Sequence, residues 1–178
     1  MTGSFYLPPW RIDVAVRDGV ELPITQVALA RAIGRTLDAA AAPHPASVGL
    51  ILTDDREIAE LNAAHLGERG ATDVLSFPLL PPEAYPDHPG KAPSSGSPAF
   101  VLPRGRRQHL GDIVVSVERA VEQAERGRGG QTGGVSWAPA DELRLLVTHG
   151  ALHLCGWDHA APTEESAMRA LEYQLLEG

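Results

Sequence analysis

His149, His153 and His159 fall inside one run, HGALHLCGWDH, and this run constrains the chain more than any other. Residues four apart stack one turn from each other on a helix. His149 and His153 therefore predict a helix with two imidazoles on one face. Gly156 ends that helix by allowing a left-handed turn, and the returning chain brings His159 back towards the same point. Neutral imidazole is the commonest biological metal ligand, and three of them leave a fourth tetrahedral position open. On spacing alone three readings stay open: core histidines that meet by coincidence, a structural metal and a catalytic metal. Three of the seven histidines of the chain crowd this run, which argues against coincidence. A structural zinc would want a fourth protein ligand. Cys155 is the nearest candidate, but it stands two residues past His153, about 200° round the helix. It points away from the metal, as a small buried apolar residue.

The same skeleton underlies the metzincin peptidase signature, which places Glu directly after the first His as general base. Here Gly150 occupies that position and cannot take a proton. Asp158, beside His159, has three available roles: binding the free ring N–H of a ligand histidine, hydrogen-bonding a metal-bound water, or capping the turn. Carboxylates behind metal histidines are usual, so support of a ligand is expected ahead of direct proton transfer. Trp157 is expected to wall the site.

The rest of the chain reads as one domain over residues 1–178, long enough for a sizeable core without disulfides. A single cysteine agrees with a reducing, intracellular setting. The N-terminus MTGSFYLPPWRIDVAV lacks a basic region followed by a long apolar stretch, and no window holds ~18 uninterrupted apolar residues. A soluble, cytoplasmic protein with no membrane contact is expected. The net charge of −8 argues against a broadly basic nucleic-acid binder, though a local basic patch stays compatible with it. Arginine outnumbers lysine fourteen to one, a matter of genome composition before function.

Alternation predicts strands at residues 11–18, 48–53, 72–78 and in GDIVVS. Helical faces are expected over residues 24–41 (opened by Pro23), in DDREIAELNAAHL with Asp54 or Asp55 as N-cap, and in VERAVEQAERG. Two more helices are expected, one beginning near Ala138 with the first two histidines, the other capped by Thr163. Residues 81–109, rich in Pro, Ser and Gly, are expected to form a mobile loop. The fold class is α+β: a small mixed four-stranded sheet packed with about five helices, and a zincin-like three-His site on a helix and the following turn.

HGALHLCGWDH, preceded in order by TDVLSFP and LGDIVVS, resembles the YbeY family of bacterial rRNA-maturation endoribonucleases. The resemblance runs from about residue 45 to the end. It implies one metal ion per chain, normally Zn2+, on His149, His153 and His159. It also implies a single-strand-specific, metal-dependent endoribonuclease in small-subunit rRNA 3′-end maturation, ribosome quality control and late ribosome assembly. The implied partners are rRNA and the small ribosomal subunit, with ribosomal proteins and a ribosome-associated GTPase. Two departures stand out. Many relatives carry Arg before the glycine matching Gly67, where this chain has Leu66 with Arg69 nearby. The stretch 81–109 also exceeds the usual connection.

A metal lowers the pKa of bound water and polarises a phosphoryl oxygen. Thr72, Asp73 and Ser76 are candidate cleft residues, Ser76 equally an ordinary strand residue. Asp112 and His109 are either outer polar groups or plain strand-turn and loop residues. Against the acidic background, Arg104, Arg106 and Arg107 form the dense basic cluster, and Arg126 with Arg128 a smaller one. They are read either as phosphate contacts or as a solvated charge run. Few aromatics argue against a base-stacking platform. Two other function classes stay open: a non-catalytic ribosome-assembly factor with a structural metal, and a zinc hydrolase of another substrate.

Overall fold

The computed structural model describes residues 1–67, 70–92, 106–126 and 137–177. It is an α+β fold in which one mixed sheet has strand order β1-β2-β3-β5-β4. The strands are β1 (Thr2–Leu7), β2 (Trp10–Val16), β3 (Ala46–Thr53), β4 (Val74–Pro78) and β5 (Gln108–Ser116). β2, β3 and β5 run parallel, while β1 and β4 pair antiparallel as the two edges. The sheet thus has five strands where four were expected. The missed strand is β1, joined to β2 through Pro8 and Pro9. Its outward residues are exposed along its whole length, so only Phe5 and Leu7 report a buried side.

Five helices complete the fold: α1 (Gln26–Ala39), α2 (Asp55–Leu66), α3 (Val117–Arg126), α4 (Pro139–Leu154) and α5 (Pro162–Glu177). The Thr25 hydroxyl accepts from Ala28 N–H to cap α1, and Asp54 accepts from Glu57 N–H to cap α2. α5 begins at Pro162, so Thr163 lies inside its first turn and does not cap it; proline suits that turn because its missing N–H would have no helical partner. Strand alternation divides the core. Ile12, Val14, Val48, Leu50, Leu52, Ile113 and Val115 face the layer of α1, α3 and α4. Leu75 and Val114 turn to the other side, against Ile58 of α2.

Helix α4 lies close to the sheet because glycine stands at two contact points. A Cβ on Gly150 would be 2.7 Å from Ile113 Cγ2, and one on Gly111 would be 2.2 Å from the Phe77 carbonyl oxygen and 2.9 Å from Leu154 Cδ2. Gly111 also has φ of +139°, which side chains disfavour. Ser76 Oγ donates to the Gly150 carbonyl at 3.0 Å, tying edge strand β4 to the same turn of α4. These contacts fix the depth and the rotation of the helix that carries His149 and His153.

The stretch expected as loop is partly built. Residues 82–84 form a 3-10 turn, and Gln108 and His109 already belong to β5; residues 93–105 lie outside the described residues. His109 takes its place in a polar ladder on the strand face, 3.1 Å from Ser47 Oγ and 3.1 Å from Asp112 Oδ1. Among the described residues, no helix is long and apolar enough to cross a membrane.

Candidate metal centre

The two histidines on α4 and the one beyond it meet as their spacing predicts. Asp141 accepts from Ala138 N–H at the start of α4. At its end, Gly156 N–H donates to His153 O and Trp157 N–H to Leu152 O, with Gly156 at φ of +81°. That pair of bonds is the Schellman closure that glycine permits. It reverses the chain within three residues of His153 and returns His159 to the ring cluster. His153 Nε2 stands 3.0 Å from His149 Nε2 and 3.0 Å from His159 Nε2. The three donor nitrogens lie within 4.8 Å of one another.

The ring hydrogen bonds set which nitrogens face one another. His149 Nδ1 is 2.6 Å from Glu172 Oε1, and His153 Nδ1 is 2.8 Å from the Trp157 carbonyl. A carbonyl or carboxylate oxygen only accepts, so both Nδ1 atoms carry the proton. In the neutral rings both Nε2 atoms then present lone pairs to each other at hydrogen-bond distance. A positive charge between them, whether a metal ion or one added proton, relieves the repulsion. Two nitrogens held about 2.05 Å from a tetrahedral ion are about 3.3 Å apart, close to the spacing here. His153 is also kept neutral: its pKa is pulled down to about 4, first by burial and then by the neighbouring His149 and His159, against the Trp157 carbonyl and Asp158. The donor set fits a divalent metal on chemical grounds. His149 and His153 are half-buried and His159 is exposed, so the cluster opens to solvent on one side.

Glu172 orients His149, and sequence reasoning did not find it. Its signal was nevertheless present. Glu164, Met168 and Glu172 recur every four residues along one face of α5 and are all buried. A carboxylate on a buried stripe needs a partner, and the partner here is the His149 ring. Replacing Glu172 with Ala is expected to weaken metal affinity about 10- to 100-fold, read by Zn2+ titration against a chelator. Glu172→Gln, which can still accept the Nδ1 proton, is expected to lose less. Equal affinity in all three proteins would remove Glu172 from the centre.

Asp158 stands elsewhere than behind a ligand ring. It is exposed, its carboxylate accepts from His159 N–H at 2.7 Å, and its own N–H donates to Glu164 Oε1 at 2.9 Å. Of the roles open to it, capping the turn is the one its contacts describe. Cys155 is 1% exposed, burial pushes its thiol up to about 12, and its sulfur is not among the donor atoms that converge. Trp157 is buried and stacks on His88, ring centroids 3.9 Å apart at 11°.

The second motif is structural where its contacts can be followed. Asp73 accepts from Val74 N–H and from Gln123 Nε2, Thr72 lies within 3.4 Å of Asp73, and Ser76 serves Gly150. Leu66 closes α2 ahead of Gly67 at φ of +70°; Arg69 lies outside the described residues. Of the basic cluster, Arg104 is also outside them and Arg106 is exposed. One nitrogen of Arg107 donates to the carbonyls of Pro9 and Ala46, each at 2.9 Å, tying the turn between β1 and β2 to the start of β3. Arg126 is exposed on α3 with Glu122 3.5 Å away, and Arg128 is outside.

Both the fold and the sequence have known relatives. The solution structure of a Thermotoga maritima protein is similar in fold, with TM-score 0.54 and 24% identity over 94% of this chain and 87% of that one. An endoribonuclease YbeY of Thermobifida fusca is 37% identical over 94% of this chain and 92% of its own length. One of Salinispora tropica is 40% identical over 93% of each. The family model described as endoribonuclease YbeY matches residues 18–178, and on that match and those identities the chain belongs to the endoribonuclease YbeY family.

Proposed function

We propose that this protein is a zinc-dependent, single-strand-specific endoribonuclease acting in small-subunit rRNA 3′-end maturation, ribosome quality control and late ribosome assembly. The observation that carries this reading is the cluster of facing Nε2 lone pairs in a chain whose relatives are named endoribonucleases. His149, His153 and His159 would hold the Zn2+, one per chain. When bound, it supplies Lewis acidity for activating water and polarising a phosphoryl oxygen.

The chain's own residues do the positioning. Glu172 and the Trp157 carbonyl hold the Nδ1 protons of His149 and His153, which keeps both Nε2 atoms turned to the same point. Asp158 holds the backbone of His159. The open side at His159 receives the phosphodiester, and the arginines of the sequence run 104–107 (Arg104, Arg106 and Arg107) supply positive charge for phosphates of the RNA. Partners on this reading are rRNA, the small subunit with its proteins, and a ribosome-associated GTPase, in the cytoplasm. A peptidase reading lacks its base, because residue 150 is a glycine packed against the sheet.

Zinc-loaded protein should cut single-stranded RNA from the small-subunit 3′ region, spare a duplex of the same sequence, and stop when a chelator is added. Binding to the small subunit with no cleavage under any metal would replace the enzyme by an assembly factor.

A further inference from the structure

The segment from Pro81 to Ala92 packs on the metal-site turn although its composition reads as loop. It approaches at two points. A Cβ on Gly156 would be 3.1 Å from Pro82 Cα, and a Cβ on Gly90 would be 2.5 Å from Glu164 N. Gly90 itself has φ of +85°, so glycine is required there twice over. Tyr85 is buried between the two approaches. Lys91 Nζ donates to the carbonyls of Tyr85 at 2.7 Å and Pro86 at 3.2 Å. The only lysine of the chain, 7% exposed in its side chain, thus fastens the segment to itself.

His88 is the contact that reaches towards the site. Its ring lies flat on Trp157 at 3.9 Å, and its Nε2 is 2.7 Å from Glu164 Oε1, with both side chains only 7% exposed. Glu164 Oε1 also accepts the Asp158 N–H at 2.9 Å. Two short routes therefore lead from His88 to the rings. One runs through Trp157, whose carbonyl holds His153 Nδ1. The other runs through Glu164 and Asp158 to the backbone of His159. Filling space over Trp157 would need only an apolar ring. A buried imidazole bonded to a buried carboxylate is costly to desolvate, and it fixes a direction that apolar packing cannot.

We propose that His88 is a positioning residue for the metal centre, holding with Glu164 the turn that presents His159 and the Trp157 carbonyl. The inference rests on the metal reading above. Zinc affinity by chelator competition and the visible bands of the Co2+-loaded protein test it. His88→Ala should bind zinc about tenfold more weakly, the low end for groups behind a ligand, and alter the Co2+ bands; it also leaves the buried Glu164 without its ring partner and should lower the melting temperature of the metal-free protein, so affinity and bands are read on protein that is still folded. His88→Gln, which keeps a donor towards Glu164, should recover part of the loss. If His88→Ala does not fold, His88→Phe keeps the stack and removes only the bond to Glu164. A folded variant lacking that bond, with wild-type zinc affinity and Co2+ bands, overturns the proposal. Wild-type protein that binds neither ion overturns the metal reading first, and this one with it.

Discussion

A His153→Ala chain is expected to lose its metal and its RNA cleavage together. His153 is the middle member of the cluster, 3.0 Å from each of the other two donor nitrogens, so removing it leaves two imidazoles with nothing between them. A metal contributes several kcal/mol to stabilising the charge of a transition state, and each ~1.4 kcal/mol is tenfold in rate. The expected loss in cleavage is therefore roughly a thousandfold or more. Metal content should fall from about one ion per chain to nearly none. The paired control is Cys155→Ala, which changes a buried residue of the same turn without touching a donor and should keep both metal and cleavage. Full RNase activity in the His153→Ala protein would assign the activity to another site or another protein.

Gly150→Glu, which completes the peptidase spacing, is expected to unfold the chain instead of giving it a second activity. The position faces β4 and β5, where even a Cβ would press on Ile113 at 2.7 Å and on Ser76 and Val74 at 3.2 Å. A carboxylate placed there is buried without a partner, which costs several kcal/mol, comparable with a typical total stability of about 5–15 kcal/mol. Gly150→Ala separates packing from charge. Overpacking costs about 1–3 kcal/mol, and better helix propensity returns up to ~1 kcal/mol. A net loss of about 1–2 kcal/mol would lower Tm by roughly 2–8 °C for a chain of this size. Thermal melts of the three proteins decide the matter. A Gly150→Glu protein that melts like wild type would show that residue 150 faces solvent.

The centre was legible in the sequence because its geometry is local. Four-residue spacing and one glycine place His149, His153 and His159 without reference to the rest of the molecule. The groups behind the rings were less so. Glu172 sits on a helix that also carries ordinary surface acids, such as Glu165 paired with Arg169; only membership of the buried stripe sets it, with Glu164, apart from them. Asp158, adjacent in sequence to His159, bonds to the backbone of that residue, whereas the carboxylate on a ring nitrogen stands fourteen positions on. β1 escaped because an edge strand with one wet face shows half a pattern, and Pro8-Pro9 is not the Asn-Gly type of turn that marks a hairpin. The segment around His88 escaped for a different reason. Its order comes from tertiary contacts of Tyr85, His88 and Lys91, which no periodicity announces.

The cage and the sheet that supports it differ sharply in how far apart their partners lie along the chain. His149 reaches Glu172 across 23 residues, whereas Ser47 and His109, in the paired strands β3 and β5, are 62 apart. Contacts that close short loops form at lower entropic cost and sooner than those that close long ones. The helical hairpin of α4 and α5 is thus a low-contact-order unit inside a high-contact-order fold. A cation captured by that hairpin would act on the rate of folding, and not only on the stability of the finished protein.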